Sequence, residues 1–259
     1  MHNATNTISR RATNHFAGKH EHTWALDGTA QPHLASEFEA ALLAIAGHDL
    51  RQPLQVIQSA HELLGMGVRT PADLRLLQSG QKAIDRLKEQ LALLTSALRM
   101  RERANTLKLV PVCVADVLRQ AYRENEDVAL SRGVIIRMVL SEAMVVSDSL
   151  LLGAAVRNLV SNAVKYTRPG GRILLGCRRS GSDLRIEVHD TGIGISSEHM
   201  PRIFDAFTRL DPVQHEGLGI GLFIVRQALG LLGHRLHAAS RPSQGSLFSI
   251  SAARFELPD

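Results

Sequence analysis

Apolar and polar positions separate first over residues 36–66. Laid on a helix at ~100° per residue, Leu42, Ala46, Pro53, Ile57, Ala60 and Leu64 cluster on one side. His48 falls almost opposite them, at the centre of a wet face with Glu37, Arg51, Gln52, Gln55, Ser59 and Glu62. Ser36 supplies an N-cap, with Glu39 three residues on. Gly65, Gly67, Thr70 and Pro71 then break the pattern, and Pro71 opens a second helix. In it Leu77, Gly80, Ile84, Leu87, Leu91, Leu94 and Leu98 alternate steps of three and four, the repeat of a coiled seam. Two such helices form a hairpin that cannot enclose a core alone. A second copy would complete a four-helix bundle, so the pattern predicts a homodimer. The competing arrangement lays the hairpin on the C-terminal half of its own chain. Pro53, five residues past His48, removes a helical hydrogen bond to the carbonyl of Asp49 and bends the helix there.

After Arg103 the period changes. Short β-branched runs predict strands at Val110 to Val114, Val134 to Leu140 and Met144 to Val146, with an amphipathic helix from Ala115 to about Arg132. A helix spans about Asp148 to Tyr166, followed by strands Arg172 to Arg178 and Asp183 to His189 around a Ser-Gly-Ser turn. A short helix near Glu198 to Phe204, a longer one from Gly219 to Leu232, and strands Leu236 to Ser240 and Ser246 to Phe255 follow. Mixed strands and helices with hairpin-length turns indicate an α/β sandwich. The expected architecture is therefore a helical-hairpin dimerisation domain over 36–104 and an α/β sandwich over 105–259. Residues 1–35 are polar, with scattered histidines and no apolar period, and read as a disordered leader. A metal site on His15, His20 and His22 is the sharper reading of the leader, but no Cys or carboxylate constellation supports it.

Composition narrows the classes. The 259 residues are 44% hydrophobic and 21% charged, which is a globular balance. A net charge of +5 permits an acidic protein, nucleotide or membrane surface and selects none of them. No base-reading motif supports a nucleic-acid partner. Cys113 and Cys177 stand in no metal-ligand spacing and read as buried thiols of a reducing compartment. No window reaches the ~18 apolar residues of a membrane span, so the expectation is a cytoplasmic chain.

Three local features carry chemistry. Asn158, Asn162 and Lys165, spaced four and three apart, share one helical face. They offer amide oxygens to a hard cation and an ammonium to a phosphate. Two Asn on one interior stripe go against helix propensity and need a reason. Asp190-Thr191-Gly192-Ile193-Gly194 follows a strand, where glycines allow close approach of a ligand and Asp190 could accept from an exocyclic amine. Gly217-Leu218-Gly219-Ile220-Gly221 opens a helix whose N-terminal amides can bind phosphate. A dinucleotide fold fails on spacing and order, and there is no Gly-x-x-x-x-Gly-Lys-Ser/Thr loop.

Taken together, five ordered motifs resemble those of the sensor histidine kinases of two-component signalling, over about residues 36 to 256. His48-Asp49-Leu50-Arg51-Gln52-Pro53-Leu54 resembles the H box, and Arg157 to Thr167 the N box. Asp190 to Gly194 is similar to the G1 box, Ile203-Phe204-Asp205-Ala206-Phe207 to the F box, and Gly217 to Gly221 to the G2 box. The resemblance implies a phosphotransfer hairpin followed by an ATP-binding domain of the kind shared with Hsp90, gyrase and MutL.

Carried over by residue, the resemblance makes His48 the phosphoryl acceptor and Asp49 the acceptor of the proton on its other ring nitrogen. Asn162 would coordinate Mg²⁺, with Asn158 near the metal and the γ-phosphate of ATP. Lys165 would meet a phosphate, Tyr166 would pack on the adenine, and Asp190 would bind its amino group. Gly192, Gly194, Gly217, Gly219 and Gly221 would permit the bends around the nucleotide, and Arg209 would face the phosphates. The product would be a phosphohistidine that passes to an aspartate on a response regulator receiver domain. Gln52 stands where many members carry Thr or Asn, which puts regulator dephosphorylation in question. No input domain fits in the leader, so the signal is expected from a separate sensor partner or from a region outside this sequence. Two other readings remain open at this stage: an Hsp90- or MutL-like ATPase switch, and a dimer that binds a regulator without catalysis.

Overall fold

The computed structural model describes residues 106–205, 208 and 220–256. It also describes helical residues at 54–59, 71–73, 75, 77–81, 83, 84 and 87, and a strand at Glu21–Trp24. His48, Asp49, Gln52, Arg209, Gly217 and Gly219 lie outside the described residues. Within the described part of the two hairpin helices, the patterned positions are the more covered ones. Ile57, Leu77, Ile84 and Leu87 are half-buried and Gly80 is buried, whereas Gln55, Ser59, Gln78 and Gln81 are exposed.

The remaining described residues build one layered unit. In chain order its elements are β1 (Glu21–Trp24), β2 (Val110–Cys113), α1 (Val114–Ser131), β3 (Ile135–Val139), β4 (Met144–Ser147) and α2 (Ser149–Tyr166). Then come β5 (Arg172–Ser180), β6 (Asp183–Asp190), a single 3-10 turn at Met200–Arg202, α3 (Gly221–Leu232), β7 (Arg235–Arg241) and β8 (Gly245–Phe255). The main sheet runs β1-β7-β8-β6-β5-β3. Only the β3–β5 pair is parallel; the others are antiparallel. β8 is long enough to serve two neighbourhoods: residues 245–253 pair β6 and β7, and Arg254 and Phe255 pair β4, which in turn pairs β2.

Strand alternation puts one face of this sheet against helices. Ile173 and Leu175 of β5, Ile186 and Val188 of β6, Leu236 of β7 and Phe248 and Ile250 of β8 are all buried in one cluster. α2 lies between α1 and α3 and buries Leu152, Val156, Leu159, Val160 and Val164 against them and the sheet. The opposite sheet face carries polar groups, where Glu187 accepts from Arg178 Nε at 2.6 Å and lies 3.2 Å from His189 Nε2. The α/β sandwich expected from the sequence is thus the observed architecture of this unit.

Three expectations change. The short helix at Glu198 to Phe204 shrinks to one turn: Pro201 lacks a donor, and Phe204 instead drives edge-on into Phe248, centroids 6.4 Å apart. Four residues of the leader expected to be disordered are a strand, because the open edge of β7 offers Glu21–Trp24 a row of backbone partners. Cys113 and Cys177 are free but only half-buried, since both lie close to the Ser141–Ala143 loop, where Cys113 Sγ is 3.7 Å from Oε2 of the exposed Glu142.

Candidate nucleotide site

The site forms where the C-terminal half of α2, the turn after β6 and the start of α3 meet. α2 starts on Asp148, whose Oδ1 accepts from the N–H groups of Leu150 and Leu151 at 3.0 and 3.3 Å. Its far end is pinned from outside the motif by Arg132, the C-cap of α1, which donates to the carbonyl of Lys165 at 2.9 Å. Fixed at both ends, α2 presents Asn158, Asn162 and Lys165 from a half-buried stripe.

The Asn stripe faces the beginning of α3. Asn158 Nδ2 donates back to the carbonyl of Ala154 at 2.9 Å, which commits its amide orientation. A Cβ at Gly221 would stand 3.3 Å from Asn158 Oδ1 and 3.5 Å from both side-chain atoms of the Asn162 amide. Gly221 therefore lets the first turn of α3 lie directly on the two amides. Uncapped N–H groups at a helix start and neutral oxygen donors within one small space suit phosphate and a hard divalent cation. Among the described residues no three His, Cys, Asp or Glu side chains could hold a metal ion, so any cation here would draw on amide and ligand oxygens.

At the next turn Lys165 Nζ stands 5.4 Å from the centre of the Tyr166 ring, an ammonium held over an aromatic face. The carbonyl of Tyr166 accepts from Ile193 N–H at 3.1 Å, which joins α2 to the glycine-rich turn. A Cβ on Gly192 would come within 2.5 Å of that carbonyl, so the contact requires glycine. Gly194 has φ +68° and abuts the carbonyl of Arg241 on β7.

Asp190, the last residue of β6, is 7% exposed. Its Oδ1 accepts from Gly192 N–H at 2.8 Å and Ser246 N–H at 3.2 Å. Burial pushes its carboxyl up to about 6, against the pull of those two donors. A buried carboxylate that remains costly to ionise is a group arranged for an incoming donor.

Of the sequence candidates, the structure brings Asn158, Asn162, Lys165, Tyr166, Asp190, Gly192, Gly194 and Gly221 to one end of the sandwich. Pattern reading missed Ser240, Gly245 and Ser246. Ser240 Oγ accepts from Ile195 N–H at 2.8 Å, and Gly245, at φ +94°, runs so close to the Asp190 carbonyl that any side chain would collide. The Ser243-Gln244-Gly245 turn was visible in the sequence. That it folds back onto Asp190 follows only from the strand register.

Residues 147–256 match the family described as histidine kinase-, DNA gyrase B-, and HSP90-like ATPases. Over 252 residues the chain is 34% identical to the phosphate regulon sensor protein PhoR of Pseudomonas aeruginosa, covering 93% of this chain and 56% of that one. It is 32% identical over 187 residues to the sensor histidine kinase CusS of Escherichia coli O157:H7, 69% of this chain and 38% of the other. The chain thus spans at most a little over half of these relatives. Full-length ShkA, solved in complex with AMPPNP, superposes with a TM-score of 0.58 at 26% identity, over 84% of this chain and 46% of that one. Among the described residues no helix is long and apolar enough to cross a membrane. Residues 147–256 thus belong to the histidine kinase-, DNA gyrase B-, and HSP90-like ATPases, and over most of its length the chain is similar to sensor histidine kinases.

Proposed function

We propose that the chain is an ATP-dependent protein-histidine kinase that phosphorylates His48 and hands the phosphoryl group to an aspartate of a response regulator receiver domain. The observation that carries this is the meeting of two unlike groups along α2. Neutral amides lie against a helix start at Gly221, and a buried carboxylate lies beyond the helix end at Asp190. One suits phosphates and the other an exocyclic amine, the two chemistries that ATP carries at its two ends.

In this reading Asp190 selects adenine through its amino group, and Tyr166 packs on the base. Asn162 would hold Mg²⁺, with Asn158 beside it, and the ion would supply neutralisation of phosphate charge. Lys165 and Arg209 meet phosphate oxygens, while the glycines at 192, 194, 217, 219 and 221 let the backbone approach. A ring nitrogen of His48 bonds to the γ-phosphorus as the bond from that phosphorus to the bridging oxygen breaks, releasing ADP. Asp49 accepts the hydrogen bond from the other ring nitrogen and stabilises the cationic ring that forms. Gln52, four residues on in the sequence, takes the position where many members carry Thr or Asn, and only if its amide can orient water would the chain also dephosphorylate its regulator. Residues 36–104 form the dimerisation hairpin, paired as a four-helix bundle with a second copy, and 105–259 the catalytic domain. A separate sensor protein, or a region outside this sequence, supplies the signal.

Incubation with labelled ATP and Mg²⁺ should give an acid-labile, alkali-stable phosphoprotein that is lost in His48→Gln. Label that persists in that variant would assign the acceptor elsewhere, and steady ATP turnover with no phosphoprotein would reduce the chain to an ATPase.

A further inference from the structure

One row of residues crosses the sheet on the face opposite the helices. Strand register sets Arg178 of β5 beside Arg185 of β6, Arg185 beside Ser251 of β8, and Ser251 beside Arg235 of β7. Direct cross-strand partners share a face, so three arginines and a serine stand in line. Like charges set directly opposite each other, as Arg178 and Arg185 are, destabilise a strand pair unless something offsets them. Asp183 and Glu187 flank Arg185 on its own strand, each about 7 Å along it, but both are committed elsewhere. Glu187 accepts from Arg178 Nε at 2.6 Å, and Asp183 pairs with Arg235, whose side chain reaches across β8 to meet it. Arg185 is half-buried, has no ion pair among the described residues, and its Nε is buried without a hydrogen-bond partner.

We infer that Arg185 and Ser251 are the centre of a second anion site, which takes a phosphate ion. The crossing of Arg235 over β8 brings its guanidinium above the Ser251 position, and the reach of Arg178 for Glu187 brings another beside Arg185. Ser251 is 5% exposed, and its hydroxyl has no partner among the described residues. Three guanidiniums meet two carboxylates here, which leaves the row one positive charge in excess. Donors then face an incoming ion from four strands: the Arg185 fork, the Ser251 hydroxyl, and the Nη groups that Arg178 and Arg235 do not spend on their carboxylates. A carboxylate would offer these donors two oxygens and phosphate offers four, so the tetrahedral ion satisfies more of them. Arg235 is 56% exposed, so its head group can turn from Asp183 towards the ion without disturbing the sheet.

This site is separate from the one at Asp190. Arg185 precedes Asp190 by five residues on β6, about 17 Å at the usual strand rise, and strand alternation puts the two side chains on opposite faces. The inference does not depend on the kinase reading, because the row would take its ion whether or not His48 is phosphorylated.

The test titrates inorganic phosphate into the intact chain, saturated with Mg²⁺ and a non-hydrolysable ATP analogue so that the nucleotide site does not answer for this one. Sodium chloride holds the ionic strength constant. Amide NMR shifts and the melting temperature are read together. Binding predicts saturable shifts at Arg185 and Ser251 and a rise in melting temperature, neither of which acetate reproduces. Arg185→Gln should weaken phosphate binding about tenfold or more, yet melt no lower than the parent in chloride alone, because it removes an unpaired charge facing Arg178. Ser251→Ala, which leaves every charge in place, should weaken binding about threefold. The absence of saturable shifts in the parent would overturn the site, as would undiminished binding by Arg185→Gln. Equal responses to phosphate and acetate would overturn the choice of ion. A loss of melting temperature by Arg185→Gln in chloride would make Arg185 a structural residue and overturn its assignment to a ligand.

Discussion

The two ends of α2 solve opposite problems. At its start, every group is neutralised in place: Asp148, 1% exposed, caps two N–H groups and lies 3.5 Å from the N–H of Lys108. Beside it the ring of His234 sits 2.9 Å from Ser147 Oγ, and burial holds its pKa down to about 4, so the ring is neutral. Beyond the other end, burial pushes Asp190 up to about 6, yet at neutral pH the carboxylate is still ionised. Close by, the hydroxyl of Thr167, 2% exposed, has no hydrogen-bond partner. One end minimises cost in the empty protein. The other keeps a cost that a ligand can relieve, as binding sites commonly do.

The sharpest way to break this contrast is Asp190→Asn. The amide can still accept from Gly192 and Ser246, but it offers the adenine amine no charge. ATP affinity should fall about a hundredfold, roughly 2.7 kcal/mol, while the empty protein melts at the same or a higher temperature. Titration calorimetry and thermal unfolding read the two effects separately. A fall in both would make Asp190 structural. In the parent protein, ATP affinity should also drop about tenfold between pH 7 and pH 5 as the carboxylate takes up its proton.

The stability of the two ends should respond to acid with opposite signs. The folded pKa of His234 lies below its ordinary value of 6.5. The stability its neutral ring contributes is present above 6.5 and is lost as the pH falls toward about 4. Asp190 is raised above 3.8, so the penalty for its charged form is present above about 6 and is relieved as the pH falls through that window. Relative to the parent, His234→Phe should therefore gain about 2 kcal/mol on going from pH 7 to pH 4.5, and Asp190→Asn should lose about as much. Denaturant unfolding at a series of pH values checks both, and parallel curves for the two variants would erase the distinction.

Smaller effects refine it. Asp148→Ala should cost about 1 kcal/mol or somewhat more through its lost cap, with ATP affinity of the folded protein unchanged. Thr167→Val, which removes an unpaired hydroxyl, should shift stability by less than about 0.5 kcal/mol, as neutral or a slight gain. A larger loss there would reveal a partner for that hydroxyl in solution.

Much of this was legible because it is local. The strands from β2 to β8 and all three helices follow from alternation and helical period, and Asp190 and the Asn stripe follow from residue type at fixed spacing. What stayed hidden depends on tertiary partners. Glu21–Trp24 has no alternation of its own and is a strand only because β7 offers an edge. Ser246 reaches Asp190 across a separation of 56 residues, and Arg132 reaches Lys165 across 33. No spacing rule encodes such distances; sheet register and helix packing do. The turn at Met200–Arg202 shows the reverse case, in which burial of Phe204 overrides a helical pattern.

β8 sits between β6 and β7 and also holds β4, yet of the eight strands it is the last to leave the ribosome. Its neighbours on the sheet must wait with bare flanks until residues 245–255 emerge. The nascent chain therefore makes the His48 region long before the sheet is complete, which, on the function proposed above, separates in time the acceptor from the domain that would phosphorylate it.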